Sequence, residues 1–489
     1  MLKDLKNTIR QSAVYGLSRV AAKSVSFILI PLYTSKFTAD GIAGINLLEA
    51  LWQYLFIICM FSFETAIIFF CASEKNISRR KIILFNFFIL TIFNSAVLLV
   101  LGSMYSDSLS MAVLKDIQYS GIIYYCFLIS VFESLLVLPM TISRLNEKPS
   151  LYIIISIANL AINLIFQLYF IVIKNYDFGY VFLAKTIAPA LVFVIFIPYV
   201  IRNIFARISI EDIKSILRFS FPLMLAALLS IMLNTFDRFI LTYFVSKEDI
   251  AIYTTGYSIG SMTNAFILAP FTLAFNMIFW KKIEEENFRR FMTKSSTYLF
   301  FAMIMISLII TYFMSYAIRI FVRNEALWTA ENVIPFILFA NCFVSLFIFP
   351  SHDFYYRKTT SVILMIIAVC LIFNFTANVI FIDYFGIYAS AVITVLSFML
   401  MISLGFLITK KYSFTKFESR KIFLLSVMFV IFASYVYIVS IGSIYLDIII
   451  KLLLIFLFLV ILHKVNFFEP IETERIRGFF NKYLFSKIK

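Results

Sequence analysis

The sequence predicts an all-α protein that crosses a membrane about fourteen times, as two six-helix lobes in parallel pseudo-repeat plus two extra C-terminal helices. Three observations carry this. Hydrophobic residues make up 62% of the 489 positions and charged residues only 14%, a balance that excludes a soluble domain of this length. Apolar stretches of about 20 residues recur from end to end, each long enough to cross the hydrocarbon core as a helix. Lys and Arg alternate between successive connections, rich on one side and scarce on the other.

The spans fall at 12–35, 45–71, 82–102, 118–142, 150–173, 180–201, 219–244, 251–279, 297–321, 332–353, 361–381, 386–409, 422–440 and 444–463. Backbone groups in lipid must bond within their own segment, and the strand-like alternation of a membrane barrel is absent, so helices are the expected form. The first span is long and internally charged, and no small-residue cleavage site follows it. It therefore reads as a span and not as a signal peptide. The connections and ends on one side carry 31 cations and those on the other carry five: Lys36, Lys115, Lys174, Lys247 and Arg323. The positive-inside rule then places both termini in the cytoplasm. It also accounts for the net charge of +15 without nucleic acid.

The chain partly repeats itself at a shift of about 210 residues. Asn159 and Asn163 match Asn374 and Asn378, Phe178-Gly179 matches Phe385-Gly386, and Lys148 matches Lys358. The expected division is a first lobe over 1–207, a second over 208–415, and extra helices with a basic tail over 416–489. Both lobes start on the same side, so the repeat axis lies along the membrane normal, an arrangement suited to alternating access.

Charges at mid-membrane cost ~2.5–3.5 kcal/mol on insertion scales, so they tend to face a cavity and to serve a function. In the first span Arg19 and Lys23 lie one turn apart within a polar stripe, too deep to snorkel easily. In the seventh, Asn234, Asp237 and Arg238 share a broad polar face. Arg19, Lys23, Arg238, Asn234 and Lys185 are the candidate substrate-binding residues. Buried cations call for an anionic cargo. Glu64, Glu133 and Asp237 are candidates for ion coupling or cavity lining; Glu64 reads equally as a partner for a first-span cation. Glu49 lies near the cation-poor surface and reads as a wet side chain. Arg319 and Lys451 read as snorkelling. Tyr253, Tyr257, Ser261 and Asn264 form a further, weaker polar stripe in the eighth span. The five cysteines are scattered singly through spans and the two histidines are unpaired, so no metal or cofactor is expected. No nucleophile–base constellation, no phosphate loop and no sizeable outer loop appears, so neither catalysis nor ATP-driven transport is expected.

The chain resembles polysaccharide-export flippases of the Wzx type, within the multidrug/oligosaccharidyl-lipid/polysaccharide (MOP) exporter superfamily. The residues behind this are Gly16-x2-Arg19 through Ile30-Pro31-Leu32-Tyr33, then Asp40-Gly41-Ile42. Phe221-Pro222-Leu223, Asn234-x2-Asp237-Arg238-Phe239 and Ile252-Tyr253 add to it. The resemblance implies a bacterial inner-membrane protein that moves an undecaprenyl-diphosphate-linked oligosaccharide, an O-antigen or capsule repeat unit, to the outer leaflet. Arg19, Lys23 and Arg238 would hold the diphosphate while the polyprenyl tail stays in lipid. Membrane lipid, a polysaccharide polymerase and a chain-length protein are the implied partners. A lipid II flippase is the nearest rival; a drug exporter and a membrane-embedded polymerase or glycosyltransferase are further alternatives.

Overall fold

A computed structural model describes residues 29–469, apart from 73, 75, 147, 206, 358, 440 and 441. Arg19, Lys23 and most of the first expected span lie outside the described residues. Within them every regular element is helical. Eleven helical runs are long and apolar enough to cross a membrane.

Residues 29–36 end a helix. Thr38 then caps α1 (Ala39–Met60) by accepting a bond from the Gly41 N–H. The second expected span is broken: Phe61 and Ser62 both adopt left-handed backbone, φ 52° and 57°, before α2 (Phe63–Ala72) resumes. Two consecutive non-glycine residues in that region are strained. The break frees helix carbonyls at membrane depth, and the Asn94 amide donates to the Cys59 carbonyl at 3.2 Å. The chain continues with α3 (Ile77–Val113), α4 (Ser120–Leu145), α5 (Pro149–Leu168) and α6 (Gly179–Asn203).

Next come α7 (Ile210–Leu241) and α8 (Lys247–Gly260). The eighth expected span is not one regular helix either. It runs through α8, a π-helical turn at Asn264–Leu268 and α9 (Ala269–Lys282). Pro270, in the first turn of α9, has no N–H to continue a regular ladder. Gly256 and Gly260 bring α8 close to the segment around 330–337. A β-carbon at Gly260 would lie 2.8 Å from that of Ile337. The chain goes on through α10 (Phe288–Phe321), α11 (Ile334–Tyr356) and α12 (Thr360–Thr409). At the helical rise the 50 residues of α12 would span about 75 Å, more than two membrane thicknesses. Gly386, at φ 56° and ψ −140°, divides it into the expected eleventh and twelfth spans. α13 (Ser419–Ala433), a short α14 (Tyr435–Ile438) and α15 (Ile444–Lys464) complete the described chain.

One apolar core closes the cation-poor side. Ile42, Leu48 and Leu55 of α1 share it with Ile250 and Tyr253 of α8 and with Ile334 and Leu338 of α11. At the cation-rich side α2 meets α7, where Phe69 stacks on Phe219 at 4.4 Å. Nearby, Arg79 at the start of α3 bonds Asp212 at 2.5 Å. Large apolar side chains such as Phe93, Ile195, Tyr384 and Phe456 are exposed on the helices, as lipid-facing surfaces require.

Candidate functional site: a polar cavity between the helices

A cavity of about 520 Å³ lies between residues 29–34, α1, α5, α6, α7 and the eighth-span segment. Among the described residues its ionisable lining is Glu49, Lys185 and Arg238, with the phenols of Tyr33 and Tyr257. Amides and hydroxyls fill in between: Gln53, Asn163, Gln167, Asn234, Thr235, Ser258, Ser261 and Asn264. Tyr33 donates to Gln167 at 2.5 Å, and Gln167 donates to Asn163 at 2.8 Å, so one wall is a relay of polar side chains.

α7 supplies Asn234 and Arg238, four residues apart and so on one face. Arg238 is only 7% exposed. Its guanidinium carbon sits 5.1 Å from the centre of the Tyr257 ring, within cation–π range. Its Nε is buried without a hydrogen-bond partner. Asp237, one residue earlier, points about 100° away. It is buried, accepts from the Tyr253 hydroxyl and the Arg238 backbone N–H, and is not among the cavity-lining residues. The sequence grouped Asp237 and Arg238 on one broad polar face; the helix divides them between a packed seam and the cavity.

α6 supplies Lys185, whose ammonium bonds Glu49 of α1 at 2.5 Å. The rings of Trp52 and Phe182 lie 5.4 and 5.5 Å from it. Glu49 is therefore an ion-pair partner in the cavity wall and not the wet surface side chain expected of it. Glu133, on α4, sits behind this pair beside Trp52 and within electrostatic reach of Lys185, and is not among the cavity-lining residues. Glu64 lies past the Phe61–Ser62 break and bonds Arg144 at 2.6 Å near the cation-rich side. Lys451 is a correction. It does not snorkel; it is 5% exposed and bonds Asp447 at 2.6 Å, with Tyr316 also donating to that carboxylate. Arg319 remains exposed, with its guanidinium 5.6 Å from Trp328.

Of the candidate site residues within the described region, the cavity brings together Lys185, Asn234 and Arg238 and leaves out Glu64, Glu133 and Asp237. Sequence reasoning missed Glu49, Gln53, Asn163 and Gln167 as wall residues. Their signal was polar residues recurring about a turn apart on the second and fifth spans. Tyr257, Ser261 and Asn264 of the eighth-span stripe do line the cavity, whereas Tyr253 turns onto Asp237.

No family model matches the sequence, and no curated protein matches it. Solved structures do. The chain is similar to the lipid II flippase MurJ in an inward closed conformation, with a TM-score of 0.70 at 13% identity over 93% of this chain and 99% of that one. It is similar to an inward-facing multidrug resistance MATE family transporter of the MOP superfamily, with a TM-score of 0.64 at 16% identity over 84% and 98%. A MOP superfamily transporter from Pyrococcus furiosus gives 0.54 at 16% identity over 82% and 95%. At these identities the likeness shows the fold: a polytopic all-α membrane architecture shared with MOP-superfamily transporters.

Proposed function

We propose that this chain is a flippase that carries a lipid-linked oligosaccharide with an anionic diphosphate head from the cytoplasmic to the periplasmic leaflet by alternating access. One observation carries the reading. Arg238 lines the cavity with its guanidinium carbon 5.1 Å from the centre of the Tyr257 ring, and no ion pair holds it among the described residues. Lys185, lining the same cavity from α6, offers a second cation. A planar arginine fork can donate two parallel bonds to a pair of phosphate oxygens, and a lysine adds a point charge. The amides and hydroxyls around them suit sugar hydroxyls, while the polyprenyl tail stays in lipid.

In this reading the lobes are 1–207 and 208–415, with 416–489 as an appended pair of helices and a basic tail. The chain sits in a bacterial inner membrane with both termini cytoplasmic. Arg19 and Lys23 extend the cationic lining from the first span. The carried unit is an O-antigen or capsule repeat, handed on to a polymerase and its chain-length partner. Glu64 and Glu133 are the groups through which an ion gradient would act. The likeness to the MurJ structure favours one second reading, a lipid II cargo, which presents the same diphosphate to the same cations. A cationic drug is disfavoured, because the lining cations outnumber its one carboxylate among the described residues.

The test is deletion in the native host. The proposal expects loss of surface O-antigen or capsule, with undecaprenyl-diphosphate-linked repeat units accumulating on the cytoplasmic side. Intact surface polysaccharide together with accumulated peptidoglycan precursor would replace it with the second reading. Intact surface polysaccharide and peptidoglycan, with neither lipid-linked intermediate accumulating, would refute both.

A further inference from the structure

We infer that Glu49 is a built-in stand-in for the cargo's phosphate: it neutralises Lys185 while the cavity is empty and competes with the anionic head for that ammonium, so that the head is released. This rests on the proposed anionic cargo and specifies how its site is regulated. Glu49 and Lys185 come from different helices, 136 positions apart in sequence, and meet at 2.5 Å in the cavity wall. Neither is sealed away. Their side chains are 31% and 15% exposed, and both line the cavity that holds Arg238. Trp52 and Phe182 flank the ammonium and limit the directions from which an anion reaches it. An incoming phosphate oxygen and the Glu49 carboxylate therefore seek the same donor. The Glu133 carboxyl also lies within electrostatic reach of Lys185. The contrast with Arg238 is direct. That cation lines the same cavity and makes no ion pair among the described residues, so it needs no displacement: it is the capture group and Lys185 the contested one. A carrier must hold its cargo and also let it go, and binding that is only tight slows the second step.

The test uses the full chain, purified and reconstituted, with inorganic pyrophosphate as the binding probe and a fluorescent polyprenyl-diphosphate oligosaccharide as the transport probe. Glu49→Gln removes the competing charge and keeps the shape. The expected result is pyrophosphate affinity raised about tenfold and the flipping rate lowered. Lys185→Ala should weaken binding, and Glu49→Gln added to it should bring little further gain, because the two act as a pair. Glu49→Asp keeps the charge and should not show the gain. Should Glu49→Gln accumulate poorly, Glu49→Ala removes the same charge and carries the same expectation. Pyrophosphate binding that depends on Arg238 but is unchanged by Glu49→Gln would overturn this inference and leave the cargo reading standing. An equal gain in the Lys185→Ala background would also overturn it. Absence of pyrophosphate binding in every variant would overturn both.

Discussion

Among the described residues, the pairs Asp447–Lys451 and Glu49–Lys185 are built differently. Near the start of α15, Asp447 and Lys451 sit one turn apart on the same helix. They bond each other at 2.6 Å, and the Asp447 carboxylate also accepts from Tyr316 and Tyr435. Both are nearly sealed, at 9% and 5% exposure. This cluster ties α15 to α10 and to the segment after α13. In the cavity wall, Glu49 and Lys185 come from different helices and stay partly open, and Arg238, lining the same cavity, makes no ion pair among the described residues. Depth in the membrane therefore does not by itself mark a cargo site. A charge whose hydrogen-bond capacity is filled by its own neighbours ties helices together; one that lines a cavity with capacity to spare is available to a ligand.

The comparison breaks if the two clusters respond alike to mutation. Lys451→Met should have the largest effect, and on folding. Leaving one partner of a buried pair alone costs ~3–5 kcal/mol. The yield of folded protein in the membrane and its melting temperature should fall, with transport per folded molecule near normal. Replacing both charges, as Asp447→Leu with Lys451→Met, should recover much of the stability. Arg238→Ala should do the opposite: abundance near normal and transport down roughly 10–100-fold, the worth of a charge-assisted hydrogen bond or two. Arg238→Lys should rescue only in part, because it lacks the planar fork. Lys185→Ala should lower transport by a smaller factor, about tenfold, since part of its charge is already spent on Glu49.

The smallest effect is expected outside the spans, where Glu418 and Glu469 meet Lys294 at 2.9 and 2.7 Å. Burial pushes the Glu418 carboxyl up, but Lys294, Thr297 and Lys421 outweigh it and hold it below its ordinary value. Lys294, with help from Arg290, holds Glu469 below its ordinary value. Carboxylates lowered by folding stabilise above the unfolded-state value, and that stabilisation is lost as pH falls through the lowered values. Hydrogen exchange around residues 464–469, corrected for intrinsic rate, should therefore hold steady above the ordinary glutamate range and rise as pH falls from that range through the lowered values.

Within the described residues the spans and their order were legible because each is about 20 apolar residues bounded by basic or turn-forming connections. Gly386 was legible as a boundary for the same reason. The break at Phe61–Ser62 was not, since it contains neither glycine nor proline and leans on Asn94 from another helix. The bond between Lys185 and Glu49 was hidden by the distance between them in sequence. The paired asparagines show the limit of the repeat. Asn374 and Asn378 are buried, and their amides bond Ser397 and the Asn374 carbonyl. Ser390 also donates to Asn378, completing a staple between the two parts of α12. Asn163 faces the cavity, and Asn159 keeps a buried oxygen without a partner. Residue types that match at the expected shift of about 210 thus serve a seam at one position and the cavity at the other, a distinction that depends on which neighbours surround them.

The most direct measurement is the rate at which the reconstituted chain flips a fluorescent polyprenyl-diphosphate oligosaccharide, compared between wild type, Arg238→Ala and the Asp447→Leu, Lys451→Met double variant. Flipping that is lost in the first variant and kept in the second, at equal amounts of folded protein, is the predicted result. Wild-type flipping that survives Arg238→Ala would contradict the claim that this guanidinium holds the cargo's head.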